Sequence, residues 1–544
     1  MPDFPTQAPH IILCTLNAKY IHASLGLRYL WANMSRHGRP GLSDQTCMLE
    51  FTIARKPEEM AIELLEKLGA ANQDATQIIG FGVYIWNVVQ TTEVIRELKQ
   101  RHPQLKIVLG GPEVSHETEG QEIVHLADHV ITGWGDVSFP KLCVSLLDGP
   151  KPLMKIIPGE QPPLADIELP YRHFTDADLA HRLLYVEASR GCPFKCEFCL
   201  SSLDKTAWAF ELQTFLTELQ VLYERGARNF KFVDRTFNLK IESSAQILQF
   251  FLDRMAEDGA EGLLVHFEVI PDHLPDRLKS LISQFPPGVL QFEVGIQSFN
   301  ENVQKLISRK QDNPQTEANL RWLLMASNAH LHTDLIFGLP GETLDSFAQG
   351  FDRLLGIGPQ EIQLGILKRL RGTPISRHTE AYGMVYDPLP PYTVRQTKDL
   401  TAETISRFAR MAKYWDLVAN SGRFKQTLSL ILEPVAPAHS PFYAFLNFSD
   451  EVWRVTQKTY GLTPEQLVDL VFDYLTTQRQ KNIEMVRQLL LGDYVGSGAR
   501  ARPLCLANEN LPLGGDRQSK GTLTDVSQAS KLRGRQDRHG ERSN

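Results

Sequence analysis

Three of the seven cysteines lie within eight residues of one another: Cys192, Cys196 and Cys199, at C-x3-C-x2-C spacing. They follow an apolar run, Leu183–Ala188, that predicts a strand, so the cysteines are expected in the loop after it. Three thiolates in one loop can bind one iron–sulfur cluster, which usually takes four cysteine ligands. Because the nearby sequence offers only three, one iron would remain open to a substrate or cofactor. The alternatives are a structural zinc knuckle, which normally fills all four positions from the protein, or three buried cysteines.

The cysteine segment resembles the radical S-adenosylmethionine superfamily, whose motif is Cx3CxφC with an aromatic residue at φ. Here φ is Phe198, which the resemblance places beside the adenine. The resemblance implies a catalytic [4Fe–4S] cluster on the three cysteines and a partial barrel over about residues 180–375. It also implies that S-adenosylmethionine chelates the open iron. One electron from the cluster then cleaves a C–S bond to give a 5′-deoxyadenosyl radical.

Polar residues in the later predicted strands are similar to those of the branch containing oxygen-independent coproporphyrinogen oxidase. That resemblance assigns Glu268, Gln297 and Arg309 to the methionine end of S-adenosylmethionine and Asp334 to its ribose. The assignments suit the chemistry, since carboxylates accept from hydroxyls and arginine pairs carboxylates bidentately. The alternative is a structural ion pair between Glu268 and Arg309. The branch's Gly-Gly-Glu motif is absent from the second strand, where Asp234 is expected to hold the amino group instead.

The elements around these residues form a regular series. Apolar runs that predict strands are Leu183–Ala188, Asn229–Val233, Leu264–Ile270, Val289–Ile296, His332–Phe337 and Glu361–Leu367. Six strand–helix units over about 190 residues predict a partial (βα)6 barrel, fewer than the eight of a complete barrel.

The first 150 residues show a second alternation of apolar runs and amphipathic stretches. Its predicted strands are Ile11–Leu16, Cys47–Ile53, Gln77–Ile85, Lys106–Leu109 and His129–Thr132. Such alternation predicts a doubly wound (Rossmann-like) α/β domain with a parallel sheet. Glycines follow the fourth and fifth strands, at the carboxyl ends where ligands of such folds bind.

A doubly wound domain followed by the cluster barrel resembles the B12-dependent radical enzymes. The opening Leu16-Asn17-Ala-Lys-Tyr20-Ile-His22 and the pair Gly110-Gly111 resemble one uncharacterised subgroup of them, which has a helical carboxy-terminal domain. The resemblance implies bound cobalamin, with contacts expected at Asn17, Tyr20, Tyr84, Gly110, Gly111 and Gly133. Gly110 and Gly111 would let the nucleotide tail approach the backbone. The alternative is a different nucleotide-like ligand, or none.

The D-x-H-x-x-G motif that supplies a histidine to cobalt is absent. His22 lies in the corresponding loop without the aspartate two residues before it, so we expect no histidine on cobalt. Methylthiotransferases also place an α/β domain before this barrel and bind a second cluster there through three cysteines. Cys14 lies inside a predicted strand and Cys143 in a predicted helix, which disfavours that alternative.

The predicted organisation has five parts. They are a B12-binding-like domain (1–150), a Pro-rich linker (151–180), the barrel (181–375), a helical carboxy-terminal domain (376–495) and a disordered tail (496–544). The tail carries nine Lys/Arg and five Asp/Glu, so with a net charge of −7 the remaining chain carries −11. That acidic balance argues against broad nucleic-acid binding. No apolar stretch approaches a membrane span, and no signal peptide is visible, so a cytoplasmic protein is expected.

These features predict a radical S-adenosylmethionine enzyme, with cobalamin, that methylates or rearranges an unactivated carbon of a small molecule. A reductant such as flavodoxin or ferredoxin would supply the electron. One alternative is an oxidative or ring-forming enzyme without methyl transfer. Another, from a different class, is a non-catalytic cobalamin or iron–sulfur sensor, which would need no complete S-adenosylmethionine pocket. The sequence does not name the substrate.

Overall fold

The computed structural model describes residues 9–69, 76–204, 206–434, 440–497, 501–509, 535, 538 and 539. The chain forms two compact units. The first comprises residues 1–235, 368–376 and 387–392, and the second comprises 236–367, 377–386 and 393–544.

The first unit begins with a doubly wound domain. Its strands are β1 (Ile11–Asn17), β2 (Thr46–Thr52), β3 (Ile78–Gly82), β4 (Lys106–Gly110), β5 (His129–Thr132) and β6 (Ile156–Pro158). Its helices are α1 (Leu25–His37), α2 (Pro57–Leu68), α3 (Val88–Arg101), α4 (Glu122–Leu126) and α5 (Ser138–Asp148). The sheet is parallel with the order β2-β1-β3-β4-β5-β6. This order places the topological switch between β1 and β3, and ligands of such sheets bind at the carboxyl ends.

The central strand β1 is buried along all seven residues. Its side chains alternate between two apolar cores, with Ile12 and Cys14 in one and Ile11 and Leu13 in the other. Burial on both faces is what a parallel sheet covered by helices requires. The predicted doubly wound fold of this region is therefore confirmed.

The predicted linker, residues 151–180, is structured. Ile156–Pro158 pairs with β5 as the sixth strand of the sheet, and the linker also contains most of helix α6 (Asp176–His181). Thr175 and Asp178 close a capping box at the start of α6. A three-residue strand among prolines gives no periodic signal, which is why the sequence predicts only a linker there.

The first unit continues with the start of the predicted barrel. Its elements are β7 (Leu184–Val186), β8 (Ser189–Gly191), β9 (Ala207–Ala209), α7 (Leu212–Glu224) and β10 (Asn229–Phe232). Strands β7 and β10 are parallel, whereas β8 and β9 are antiparallel and pair Arg190 with Trp208. We call this antiparallel pair the β8–β9 ribbon.

The second unit contains the remaining barrel strands and the helical domain. Its strands are β11 (Leu264–Val269), β12 (Leu290–Gln297), β13 (His330–Phe337), β14 (Glu361–Ile366), β15 (Val385–Tyr386) and β16 (Val394–Gln396). Its helices are α8 (Ile241–Asp258), α9 (Asp276–Ile282), α10 (Glu301–Leu306), α11 (Asn313–Ala326), α12 (Leu344–Ile357), α13 (Ala402–Val418), α14 (Leu428–Leu432), α15 (Pro441–Thr456), α16 (Pro464–Asp473) and α17 (Ile483–Gly496). Strands β11 to β14 are parallel and adjacent in chain order, with helices between them.

All six barrel strands predicted from the sequence are present: β7 and β10 in the first unit, and β11 to β14 in the second. The carboxy-terminal region is helical as predicted, apart from the short antiparallel pair β15–β16. Much of the predicted tail lies outside the described residues, but its segment 501–509 contains a helical turn with Leu506 fully buried. Among the described residues, no helix is long and apolar enough to cross a membrane.

Candidate functional site

A cavity of about 400 Å³ opens at the carboxyl ends of β3, β4 and β5 in the first unit. Glycines form much of its wall: Gly26, Gly80, Gly82, Gly110, Gly111, Gly133 and Gly135. A wall of glycine backbone leaves room for a large planar or nucleotide-like ligand to approach the sheet edge. The cavity lies where the strand order predicts a ligand site.

The glycines of this wall differ in what a side chain would meet. A Cβ on Gly110 would have the carbonyl of Ile131 as its nearest neighbour, at 3.8 Å, and one on Gly133 would meet no atom within 4 Å. Gly111 is different, because its φ is +110° and a Cβ would lie 2.5 Å from the carbonyl oxygen of Val83. Gly133 shares the positive φ, with a value of +75°, so the backbone favours glycine at both Gly111 and Gly133, whereas at Gly110 glycine only keeps the cavity open.

Four of the six residues expected to contact cobalamin line this cavity: Tyr84, Gly110, Gly111 and Gly133. The side chain of Tyr84 stacks on Trp86 with ring centroids 4.4 Å apart, and burial raises the pKa of its hydroxyl. The other two, Asn17 and Tyr20, do not line the cavity.

Asn17, which ends β1, and Tyr20, in the loop after it, make contacts outside the cavity. The Asn17 amide donates to the carbonyl of His22 at 2.8 Å and to Glu50 at 3.0 Å. The Tyr20 ring lies against the Arg182 guanidinium, 4.5 Å from its centroid. These contacts shape the first loop, and the expected contacts of Asn17 and Tyr20 with cobalamin stay predictions.

The His22 side chain is hydrogen-bonded within the first unit. Its Nδ1 lies 2.7 Å from the hydroxyl of Tyr185 in β7, and the two rings stack. Burial lowers the pKa of His22, with Lys19 and Lys231 adding to the effect. The expectation that His22 does not ligate cobalt remains a prediction.

The three cluster cysteines follow β8 in one loop of the first unit. Cys192 and Cys196 are buried and Cys199 is partly buried, and the Cys199 N–H donates to the Cys196 carbonyl in a tight turn. Burial, with smaller contributions from the other two thiols, raises the pKa of Cys192 to about 11. None of the seven cysteines, all of which lie in the described part of the chain, forms a disulfide. Among the described residues, no group of three His, Cys, Asp or Glu side chains is arranged around a single metal ion.

A cluster and a mononuclear zinc site place different demands on three cysteines. Zinc would draw its thiolates to within about 2.3 Å of one point, whereas a [4Fe–4S] cube holds each thiolate on a different iron. The three cysteines of this loop are not in disulfides and their thiols interact electrostatically, which is compatible with the second requirement. Phe198, which the resemblance places beside the adenine, is partly buried in the same loop.

Asp234 follows β10, and its carboxylate contacts the strand that leads to the cluster loop. Its Oδ2 accepts from the N–H of Ala188 at 2.9 Å, and its Oδ1 accepts from the hydroxyl of Ser189 at 2.5 Å. Burial raises the pKa of Asp234 to about 7. These contacts hold the start of the cluster loop. Each carboxylate oxygen can accept a further hydrogen bond, so the expected role of Asp234 with the amino group of S-adenosylmethionine stays a prediction.

Arg190, which the sequence analysis did not single out, lies at the centre of a buried network along the cavity wall. It forms two hydrogen bonds with Asp136, at 2.9 and 3.2 Å, and one with Glu187 at 2.7 Å. Its guanidinium also lies 4.2 Å from the centroid of the Tyr29 ring. Burial lowers the pKa of Arg190, but Glu187 and Asp136 outweigh burial and raise it. The one sequence feature that could have indicated Arg190 is its position two residues before Cys192.

The second unit contains the four other residues expected to contact S-adenosylmethionine. Glu268 lies near the end of β11, Gln297 ends β12, and Asp334 lies in β13. Arg309 follows α10 and donates to the Gly295 carbonyl and, at 2.9 Å, to Gln311.

The register brings these side chains to one region of the sheet. Gly295 is the direct partner of Asp334 across β12 and β13. A Cβ on Gly295 would lie 2.5 Å from the Gln297 amide nitrogen and 3.9 Å from Arg309. Gln297 has a φ of +69°, and its buried Oε1 accepts no hydrogen bond from the described residues. A strained residue with an unsatisfied buried acceptor is typical of a ligand site.

The basic segment after β14 is paired with acidic residues of the first unit. Arg369 contacts Glu117 at 3.0 Å, and Arg371 contacts Glu113 at 2.9 Å. Tyr392 also donates to Glu113 at 2.5 Å. These ion pairs neutralise both arginines within the first unit.

Cys14 and Cys143 belong to opposite faces of the first sheet. Cys14 packs in the core on one face and Cys143 in the core on the other, and both are fully buried. Burial raises the pKa of both thiols. They cannot share a cluster, which removes the second cluster that a methylthiotransferase would carry in this domain.

Three family models match successive parts of the chain. Residues 12–143 match the B12 binding domain, residues 186–354 match the radical SAM superfamily, and residues 380–533 match a protein family of unknown function, DUF4080. The predicted domain classes are confirmed, and with them the cofactor classes: cobalamin, a [4Fe–4S] cluster and S-adenosylmethionine.

Two curated relatives are similar over about three fifths of the chain. The cobalamin-dependent radical SAM methyltransferase TokK of Streptomyces tokunonensis is 26% identical over 364 residues, 60% of this chain and 52% of TokK. The 2-(S-pantetheinyl)-carbapenam-3-carboxylate methyltransferase of Streptantibioticus cattleyicolor is 26% identical over 380 residues, 62% of this chain and 54% of that protein. The chain thus spans about half the length of these relatives.

A solved structure supports the fold. The cobalamin-dependent S-adenosylmethionine radical enzyme OxsB, with aqua-cobalamin and S-adenosylmethionine bound, aligns with a TM-score of 0.56 at 13% identity. The alignment covers 89% of this chain and 78% of OxsB. The likeness confirms the predicted fold class.

Proposed function

Because the chain joins a B12-binding domain to a radical SAM domain, we propose that it is a cobalamin-dependent methyltransferase that methylates an unactivated carbon of a small molecule. The single observation that carries this proposal is the cavity wall. Besides the glycines of β3 to β5, the wall includes Glu187, Ser189, Arg190 and Gly191. These residues lead directly into Cys192, so the cobalamin cavity and the cluster loop share one wall.

When bound, the three cofactors supply a 5′-deoxyadenosyl radical to activate the substrate and a methyl group to transfer. The chain's own residues bind and orient them. Cys192, Cys196 and Cys199 hold the cluster and leave one iron open. Asp234 fixes the strand before that loop.

S-adenosylmethionine binding is assigned to residues of the second unit. Glu268, Gln297 and Arg309 recognise the methionine end, where Arg309 offers a guanidinium and Gln297 an unsatisfied amide oxygen. Asp334 accepts from the ribose hydroxyls. A one-electron reductant is needed to start the reaction, and a small acidic redox protein such as flavodoxin or ferredoxin would serve.

Product analysis tests the proposal. The protein is reconstituted anaerobically with iron, sulfide and hydroxocobalamin, desalted, reduced, and supplied with S-adenosylmethionine and candidate small molecules. Methyl transfer predicts both S-adenosylhomocysteine and 5′-deoxyadenosine, because one molecule donates the methyl group and another forms the radical. 5′-Deoxyadenosine alone would favour an oxidative or ring-forming enzyme. Retention of both cofactors without cleavage would favour a sensor.

A further inference from the structure

The β8–β9 ribbon contacts one loop of the B12-binding domain at several points. We call Gly133, Trp134, Gly135 and Asp136 the 133–136 loop, which connects β5 to α5. All four of its residues line the cavity. The first strand of the ribbon, β8, ends at Gly191, directly before the first cluster cysteine.

The first contact is ionic and has defined geometry. Arg190 in β8 forms two hydrogen bonds with the Asp136 carboxylate, from its two terminal nitrogens. Its remaining nitrogen, Nε, donates to Glu187. Asp136 side-chain exposure is 7% and that of Arg190 is 14%, so the fork is largely shielded from water. Buried bidentate pairs combine strength with a fixed orientation.

The other contacts involve Trp134. The Trp208 ring packs edge-on against Trp134 with centroids 5.6 Å apart, and Trp208 is the cross-strand partner of Arg190. The Trp134 side chain also lies close enough to Asp204, which lies between the last cluster cysteine and β9, to oppose the rise in its pKa that burial causes. The ribbon and the segment after Cys199 therefore fix the position of the same cavity loop.

From these contacts, we propose that Arg190 is a positioning residue that couples the cobalamin cavity to the cluster loop. Binding of a cofactor at either site orders the 133–136 loop and the ribbon together. Each cofactor therefore increases the affinity for the other. Thermodynamic linkage makes this effect reciprocal. The inference rests on the proposed cofactors and adds a residue that neither the fold nor the cluster motif assigns.

Lysine cannot replace this arginine. A lysine keeps one positive charge between Asp136 and Glu187 but lacks the planar fork that engages both at once. Arg190→Lys should therefore preserve the charge balance of the buried network while losing its geometry. Asp136→Asn provides a second test from the other side, because it keeps the side-chain volume and removes one charge-assisted partner.

The experiment measures the affinity for hydroxocobalamin by visible spectroscopy, anaerobically, in cluster-free and cluster-reconstituted protein. Wild-type protein should bind at least about 5-fold more tightly with the cluster in place, the lower end of usual coupling between sites. We call the affinity with the cluster divided by the affinity without it the affinity ratio. In Arg190→Lys and Asp136→Asn this ratio should fall to about one, while the iron and sulfide content stays unchanged. Arg182→Lys is the matched control, since Arg182 is equally buried between Glu50 and Asp178 but does not line the cavity. It should keep the wild-type ratio.

The outcomes separate this inference from the proposed function. Wild-type protein that retains no hydroxocobalamin in either form contradicts the cobalamin proposal, and the coupling with it. Binding with a ratio of one in wild type, or an unchanged ratio in Arg190→Lys, overturns the role of Arg190 and leaves the cobalamin proposal standing. If Arg190→Lys fails to fold, Asp136→Asn decides by the same ratio.

Discussion

Asp234 and Ser189 are joined by a 2.5 Å hydrogen bond that connects the end of β10 to the strand leading into the cluster loop. The second oxygen of Asp234 accepts from the backbone of Ala188. A fully buried carboxyl that fixes this strand responds to pH, because burial favours its neutral form.

Asp234 should make the protein less stable as the pH rises. Its pKa is about 7 in the folded protein, against 3.8 for an ordinary aspartate, so unfolding between about pH 4 and pH 7 releases a proton. The free energy of unfolding then decreases through this window, by about 4 kcal/mol at most. Asp234→Asn mimics the protonated form and should remove this part of the pH dependence. Urea denaturation of cluster-free protein at pH 5 and pH 8 measures it, with the exposed Asp176→Asn as control. If the free energy of unfolding changes equally between pH 5 and pH 8 in wild type and in Asp234→Asn, the raised pKa is not that of Asp234.

Each of the three cluster cysteines should be indispensable. We expect the loss of the absorbance at about 400 nm, which thiolate-to-iron charge transfer produces, in each of Cys192→Ala, Cys196→Ala and Cys199→Ala. Formation of 5′-deoxyadenosine should stop with it. Cys505→Ala, outside the loop, should reconstitute like wild type. A full cluster with full cleavage activity in any one of the three loop variants would be incompatible with the ligand assignment.

Asp334 should contribute to S-adenosylmethionine binding without affecting the cluster. Asp334→Ala should weaken binding by about 1.5–3 kcal/mol, the range for hydrogen bonds to a charged group. Equilibrium dialysis of the reconstituted protein measures the change. Asp276→Ala is a control, because Asp276 is an exposed residue at the start of α9. Unchanged affinity in folded Asp334→Ala would remove this residue from the site.

Much of the fold could be predicted because the strands are continuous apolar runs. All six barrel strands and the first five strands of the B12-binding domain were placed within a few residues from this signal alone. The short strand β6 was missed, since three residues among prolines carry no periodicity. The glycines at the strand ends could also be predicted as a ligand site, because the sheet class fixes where ligands bind.

The contacts between distant side chains could not be predicted in the same way. Arg190 and Asp136 are 54 residues apart, and nothing in the local pattern pairs them. Asp234 accepts hydrogen bonds from residues 45 and 46 positions earlier, and the role expected of it with S-adenosylmethionine does not indicate these partners. Strand position follows from local composition, whereas side-chain partners depend on the folded register.

His22 should have a structural role through Tyr185 rather than a role on cobalt. His22→Ala removes the hydrogen bond to Tyr185 and should cost about 0.5–1.5 kcal/mol of stability. The visible spectrum of bound cobalamin should stay unchanged, because no nitrogen ligand is lost. Tyr185→Phe, which removes the same hydrogen bond and keeps the imidazole, should give the same stability loss. A spectral shift in His22→Ala but not in Tyr185→Phe would place the imidazole on cobalt.

Gly110 and Gly111 should respond differently to the same substitution. Gly110 lines the cavity, has a φ outside the left-handed region and has no neighbour closer than 3.8 Å to a new Cβ. Gly110→Ala and Gly110→Val should therefore fold and should weaken hydroxocobalamin binding in proportion to side-chain size. Gly111→Val should instead reduce the yield of folded protein, because its Cβ would collide with the Val83 carbonyl and its φ of +110° disfavours a β-branched residue. Retention of hydroxocobalamin through desalting measures binding, and thermal unfolding of each variant measures stability. Together they distinguish a folded protein with an obstructed cavity from a protein destabilised at Gly111. If Gly110→Val binds hydroxocobalamin as wild type does, the cavity at the ends of β3 to β5 is not its site.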